Sequence, residues 1–183
     1  MRTRRGGRSA DPIADDMDAI ELLKEDHRKL ERLFREFIEL RGTDPDGETK
    51  RAVVERTCTA LTVHTLIEEE IFYPAVRDTL SDQIVGEEAL VEHATAQALI
   101  ERLEGLEPAG PFYDATFTVL SEYVQHHVKE EETSMFPQVK DAQLDLADLG
   151  QRMKQRKEEL EDEDGPIESG PTDGAGEDGN GWQ

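Results

Sequence analysis

Two segments of the chain place a histidine and a glutamate four residues apart, which is about one turn of an α-helix. The pairs are His64 with Glu68 and His127 with Glu131. Residues with this spacing share a helix face, so each pair would present an imidazole beside a carboxylate. Both glutamates continue rows of apolar residues, which predicts that they face a core. Imidazole and carboxylate together suit iron, manganese or zinc, and a bound cation would compensate a buried carboxylate.

Two further histidines fall on the apolar faces of other predicted helices. His27 lies four residues after Leu23, and His93 lies seven residues before Ile100. Each of four predicted helices therefore carries one histidine on its inward face. Neutral imidazoles cannot balance two buried carboxylates, and no lysine or arginine shares these faces. Two bridging carboxylates would allow two metal ions to lie side by side.

The pattern of histidine and glutamate occurs twice. Residues 64–74 and 127–137 both begin with histidine and continue with two glutamates, four and five positions later. In both copies an aromatic residue and a proline follow nine and ten residues after the histidine. The copies are 63 residues apart, and His27 and His93 are 66 apart. The chain therefore looks like a duplicated helical hairpin, whose halves would bring all four histidines and both glutamates to one level of the core.

Hydrophobic periodicity predicts four long helices and a weaker fifth. Apolar residues recur with a period near 3.6, breaker clusters separate the segments, and no long stretch alternates as a strand would. The predicted helices cover approximately residues 15–41, 49–78, 82–104, 112–140 and 141–161. We therefore predict an all-α fold, an up-down-up-down four-helix bundle from a duplicated helical hairpin, with an additional C-terminal helix. The fifth helix is expected to pack outside the bundle or to project from it.

Charge and composition divide the chain further. Its 183 residues include 43 acidic and 21 basic side chains, for a formal net charge of −22. We expect a basic flexible arm (1–14), the bundle (15–140), an amphipathic helix (141–163) and a disordered, acidic, glycine-rich tail (164–183). The net charge argues against nucleic acid or an anionic membrane as a partner, and no apolar run is long enough to span a bilayer. A single cysteine, Cys58, and the lack of a secretory signal favour a cytoplasmic protein.

The doubled hairpin, with histidine on helices one and three and His-x-x-x-Glu on helices two and four, resembles the hemerythrin family, specifically its HHE cation-binding branch. The resemblance covers approximately residues 17–140. It implies two non-haem iron ions, bridged by both carboxylates and by an oxygen-derived group; manganese and zinc suit the same donors. Carried over position by position, it implies six metal ligands: His27, His64, Glu68, His93, His127 and Glu131.

This chain departs from the oxygen-carrying hemerythrins at two positions. Gln97 stands where those have a second third-helix histidine, and Glu131 stands where they have an aspartate. One metal position is therefore open to water, Gln97, a tyrosine or a nearby carboxylate. We expect a di-iron protein that binds, senses or handles oxygen, nitric oxide, peroxide or iron, with a small diatomic ligand or peroxide as its partner. The alternatives are a catalase-like enzyme acting on peroxide and a metal-stabilised structural or interaction bundle.

Other side chains compete for roles at this centre. His126 and Glu130 repeat the spacing of four, but the proline spacing and the apolar row favour His127. Three glutamates beside the predicted ligands either support them by hydrogen bonds or form a solvated acidic face: Glu69, Glu70 and Glu132. Three tyrosines either reach the metal or pack in the bundle: Tyr73, Tyr113 and Tyr123.

Other classes of protein explain the pattern less well. In a metal-free bundle, six polar side chains would have to satisfy one another at the centre of a small core. A ferritin-type di-iron bundle needs Glu-x-x-His on two helices, and no histidine here follows a glutamate by three residues. A zinc protease of the His-Glu-x-x-His type is excluded because the motif is absent.

Overall fold

The computed structural model describes residues 17–44, 47–81 and 84–163. These residues form helices and no strand, which confirms the all-α prediction. The arm and the tail predicted at the two ends of the chain lie outside the described residues. In the described ranges no helix carries an apolar stretch of the length that spanning a membrane requires.

Five helices make up the described chain: α1 (Ala19–Glu39), α2 (48–79), α3 (Ile84–Glu104), α4 (113–141) and α5 (Leu146–Glu163). Two of them change winding along their length. The parts of α2 are an α-helix Glu48–Ile67, a π-helical turn Glu68–Phe72, an α-helical turn Tyr73–Val76 and a 3-10 turn Arg77–Thr79. The parts of α4 are an α-helix Tyr113–Glu130, a π-helical turn Glu131–Met135 and an α-helix Phe136–Asp141.

Helices α1 to α4 form the predicted up-down-up-down bundle. The pairs α1–α2 and α3–α4 pack as hairpins, and α1–α4 and α2–α3 make the contacts between the hairpins. The first helix begins where the Asp18 side chain accepts a hydrogen bond of 2.9 Å from the amide of Glu21, and it ends before Gly42, whose φ of 77° favours glycine. Local sequence therefore defines the ends of α1.

Both π-helical turns lie at the same place in the duplicated motif. Each begins on a predicted ligand, Glu68 or Glu131, and each precedes a proline, Pro74 or Pro137. Proline cannot donate a backbone hydrogen bond, and its ring clashes with the carbonyl four residues earlier in a regular α-helix. In the first copy the amide of Tyr73 instead bonds to the carbonyl of Glu68, five residues back. The wider turn accommodates the proline that lies six residues after each glutamate.

Two apolar clusters lie on either side of a buried polar layer in the bundle. One cluster packs the ends of α1, α2 and α4 against α5 and includes Phe72, Met135 and Met153. The other fills the opposite end and includes Phe37 and Phe117. The polar layer is therefore enclosed from both ends of the core.

The fifth helix packs against α1 and α2, as one of the two sequence-based alternatives expected. Its predicted start at residue 141 is wrong, because Ala142 is extended and ends α4. The helix begins at Leu146, where the Asp145 side chain accepts a hydrogen bond of 3.0 Å from the amide of Asp148 and caps the first turn. Gly150 fits closely: a Cβ atom there would lie 2.5 Å from the backbone oxygen of Met17.

Candidate metal centre

The structure brings all six predicted ligands together in the polar layer. None is more than 6% exposed, and Glu68 is fully buried. Their donor atoms form two groups whose members lie within 4.8 Å of one another. The first group contains His27, His64, Glu68 and Glu131, and the second contains Glu68, His93 and His127. Because Glu68 belongs to both groups, the two sets of donors are adjacent.

Each buried glutamate lies between a histidine of its own helix and a histidine of another helix. The Oε2 atom of Glu68 lies 3.4 Å from the Nε2 atoms of both His64 and His93. The Oε2 atom of Glu131 lies 3.2 Å from Nε2 of His27 and 3.6 Å from Nε2 of His127. Each carboxylate thus lies between a histidine of the first hairpin and a histidine of the second, a position from which it could bridge two cations.

Several of these atoms have no hydrogen-bond partner among the described residues. They are Nε2 of His27, both nitrogens of His64, both carboxylate oxygens of Glu68, Oε2 of Glu131 and Oδ2 of Asp26. Buried polar atoms without partners are expensive, and native proteins rarely leave so many together. The metal-free alternative requires the six side chains to satisfy one another, and these atoms show that they do not. Imidazole and carboxylate donors arranged in this way fit metal ions such as iron, manganese or zinc.

The outward nitrogen of each histidine faces a carboxylate from a different helix. The Nδ1 atoms of His27, His93 and His127 lie 2.9, 2.9 and 2.7 Å from oxygens of Glu132, Glu69 and Glu92, respectively. The Nδ1 atom of His64 lies 3.7 Å from Oδ2 of Asp26. Carboxylates only accept, so a proton on Nδ1 leaves the Nε2 lone pair free for a metal.

Two of these supporting carboxylates were missed by the sequence-based reasoning. Asp26 directly precedes His27, and Glu92 directly precedes His93, so they repeat at the same interval of 66 residues. That shared position was the available signal. Of the three glutamates considered from sequence, Glu69 and Glu132 contact histidines, whereas Glu70 pairs with Arg156 at 2.7 Å on the surface.

The remaining candidates lie away from the two donor groups. His126 points outward with a side chain 63% exposed and pairs with Glu130 at 3.3 Å, so the structure places His127 inward as expected. Gln97 is exposed and lines a groove beside Cys58. Burial raises the pKa of the Cys58 thiol to about 12, and Tyr113 packs in the apolar cluster around Phe117.

Tyr73 distinguishes one half of the centre from the other. Its hydroxyl donates to Oε1 of Glu131 over 2.9 Å and lies 3.3 Å from Nε2 of His93. Burial raises the pKa of Tyr73 well above its usual value, and the nearby glutamates add to the shift, so the hydroxyl remains a donor. The second copy has Phe136 at this position, and its ring stacks on His27 with centroids 5.9 Å apart.

A small cavity adjoins the histidines on the side of the second hairpin. Its volume is about 10 Å³, which is about the space of one water molecule. Its walls include His64, His93, His127, Tyr123 and the short side chain of Ala96. The cavity thus provides room next to both donor groups for a very small ligand.

The sequence and the fold both match known proteins. Residues 18–139 match the family model of the hemerythrin HHE cation binding domain. This chain belongs to the hemerythrin HHE family. A solved structure of a hemerythrin HHE cation binding domain-containing protein from Mycobacterium kansasii superposes with a TM-score of 0.68 and 25% identity. The match covers 80% of this chain and 89% of the other.

A curated relative from Nostoc sp. carries a different description. It is named DNA nickase, and 125 residues of the two proteins are 26% identical. The match covers 68% of this chain but only 34% of the relative. This HHE-domain protein therefore spans about a third of that relative's length.

The environment of this HHE domain shifts the pKa values of its two buried glutamates in opposite directions. Burial opposes ionisation of Glu131, but the imidazole of His27, 3.2 Å away, and the other nearby histidines hold the pKa of Glu131 at about 2. Burial also disfavours the imidazolium form of His27, yet Glu131 outweighs it and raises the pKa of His27 to about 9. Burial and the charge of Glu131 raise the pKa of Glu68 well above its usual value. Burial lowers the pKa of His64 to about 4.

We predict that His127→Ala removes far more bound metal than His126→Ala, because only the imidazole of His127 faces the buried glutamates. Elemental analysis of both variants after identical purification measures the difference, and circular dichroism checks that their helicity is the same. Equal losses in the two variants, or a larger loss in His126→Ala, would contradict this assignment.

We also predict that metal binding at pH 7 releases at least about one proton per chain, since metal ligands must be deprotonated. His27, with a pKa of about 9, carries such a proton in the metal-free protein, and the raised pKa of Glu68 acts in the same direction. Apparent affinity should therefore rise with pH up to about 9, the pKa of His27. Calorimetric titration with zinc in buffers of different protonation enthalpy counts the protons. His27→Ala should release about one proton fewer, and heats independent of the buffer would contradict the prediction.

Proposed function

We propose that this protein holds two iron ions in the polar layer and uses them to bind, sense or handle oxygen, nitric oxide or peroxide. The set of buried donor atoms without partners carries the proposal, because a pair of cations would coordinate five of these seven atoms at once. Manganese and zinc suit the same donors. A redox-active iron pair supplies open coordination positions and electrons for binding or reducing small ligands.

The proposed ligands divide into two sets that share the bridging carboxylates. His27 and His64 would hold one ion, and His93 and His127 would hold the other, with Glu68 and Glu131 between them. Each histidine pair comes from one hairpin: one histidine lies on its first helix and the other on its second. Carboxylates on the outward nitrogens support all four imidazoles, three of them by hydrogen bonds.

The size of the cavity favours a very small ligand. A space of about 10 Å³ beside His93 and His127, about that of one water molecule, is too small for an organic substrate, so the smallest ligands, such as a diatomic molecule or peroxide, suit it best. Gln97 does not supply a ligand here, since its side chain is exposed and turned toward the groove with Cys58. The position that a further imidazole would occupy is therefore left to water or to the small ligand.

Nucleic acid is outside the proposal, although the Nostoc relative is named DNA nickase. The chain matches only 34% of that relative, so the nickase activity belongs to a protein with much additional sequence. A net charge of −22 would also repel the phosphates of DNA.

Anaerobic loading with ferrous iron, followed by oxidation, tests the proposal. We expect two iron ions per chain and a charge-transfer absorption of the ferric protein, which His64→Ala reduces. Substoichiometric iron without such an absorption would exclude the proposed function and leave the alternative of a metal-stabilised structural or interaction bundle. Oxygen release from added peroxide, measured with an electrode and with His64→Ala as control, separates a catalase-like enzyme from a binding protein.

We predict that Ala96→Leu blocks access of small ligands without removing iron, because the larger side chain fills the cavity and donates nothing to the metals. The affinity of the ferrous protein for nitric oxide should fall at least about tenfold, which corresponds to about 1.4 kcal/mol. Ala98→Leu makes the same change on the exposed face of α3 and should bind normally. Unchanged affinity in Ala96→Leu would show that the ligand binds elsewhere.

A further inference from the structure

The four histidines of the centre are not supported equally. Three outward nitrogens lie within 2.9 Å of a glutamate oxygen, whereas Nδ1 of His64 lies 3.7 Å from Oδ2 of Asp26. Neither of these last two atoms has a hydrogen-bond partner among the described residues. The support of His64 thus depends on how Asp26 is held.

Asp26 is held from outside the four-helix bundle. Its Oδ1 atom contacts the ammonium group of Lys157, which lies on α5. The Asp26 carboxylate is 9% exposed, so it needs a cation close by. Lys157 supplies that charge, and the second carboxylate oxygen remains turned toward His64.

Contacts in the two turns that precede Lys157 fix the position of α5. Met153 is fully buried in the apolar cluster, and Gly150 packs directly on the backbone at Met17. Arg156 binds Glu70, which lies in the π-helical turn that begins at Glu68. The helix therefore touches both the residue that supports one ligand and the turn that carries another.

The second hairpin has a different arrangement at the equivalent position. Glu92 repeats the position of Asp26 but reaches its histidine, His127, directly at 2.7 Å. The main contacts of α5 are with α1, α2 and the first π-helical turn, all of which belong to the first hairpin. The fifth helix therefore acts on one half of the centre.

We propose that Lys157 is a positioning residue: through Asp26 it orients His64, and it thereby makes α5 part of the His27–His64 metal site. The inference rests on the proposed metal binding. Without the ammonium group the Asp26 carboxylate loses its cation and turns outward or takes up a proton, so His64 loses its support. Loss of such supporting contacts typically lowers metal affinity about 10–100-fold. Because the coupling is reciprocal, metal at this site also stabilises the docking of α5.

Cobalt titration of the full chain tests this role, with the d–d absorption bands as the readout. His64→Ala and His93→Ala first identify which binding step belongs to which half. Lys157→Met should weaken the His64-dependent step about tenfold and leave the His93-dependent step unchanged. Lys157→Arg, which keeps the charge, should restore binding. Arg152→Met is the matched control, since it removes an exposed positive charge from the same helix and should leave both steps unchanged.

A double-mutant cycle decides whether Lys157 acts through Asp26. Asp26→Asn should weaken the same step, and Lys157→Met should add nothing in that background. Circular dichroism and thermal unfolding establish that the variants fold. If Lys157→Met does not fold, the metal affinities of Asp26→Asn and Lys157→Arg are compared with that of wild type instead. Two cobalt ions bound equally by wild type and Lys157→Met, equal losses in both steps, or additive effects in the cycle would overturn this inference alone. Fewer than two cobalt ions in wild type would overturn the proposed function as well.

Discussion

A carboxylate removed from water needs compensating charge, and this bundle buries two of them at its centre. Glu68 and Glu131 lie among imidazoles, in a layer with apolar clusters above and below. In the metal-free protein this constraint raises the pKa values of both His27 and Glu68, so the two side chains hold their protons more tightly than they would in water. Bound cations would compensate the buried charge more completely, because they would also bind the nitrogen and oxygen lone pairs that have no hydrogen-bond partner.

The duplicated hairpin solves the problem of bringing six donors to one level. Each copy supplies one histidine from its first helix and a histidine and glutamate from its second. The proline of each copy lies beyond a wider π-helical turn that begins on the glutamate. The supporting carboxylates contact histidines of other helices rather than of their own helix. Glu69 of α2 contacts His93 of α3, and Glu132 of α4 contacts His27 of α1. The ligands and their supports therefore interlock all four helices.

Most of the fold and the set of buried donors were predictable because they depend on local spacing. The period of the apolar rows places His64 with Glu68, and the repeat extends that placement to the other hairpin. Asp26 and Glu92 lie one residue off the apolar rows, so their role depends on how far each helix rotates against its neighbour. The contact between Asp26 and Lys157 joins residues 131 positions apart, which no local pattern reveals. The late start of α5 depends on the side-chain cap at Asp145, which the period of the apolar residues does not show.

The substitution of phenylalanine for tyrosine between the copies has a consequence for how such a centre diversifies. A site built from two identical hairpin chains would be symmetric, and every mutation would change both halves together. Joining the hairpins in one chain removes that restriction. One half here carries a hydroxyl that donates to a bridging carboxylate, and the other carries an aromatic ring against an imidazole. The two halves of the polar layer are therefore chemically distinct, and evolution can adjust the properties of one half while it preserves the other.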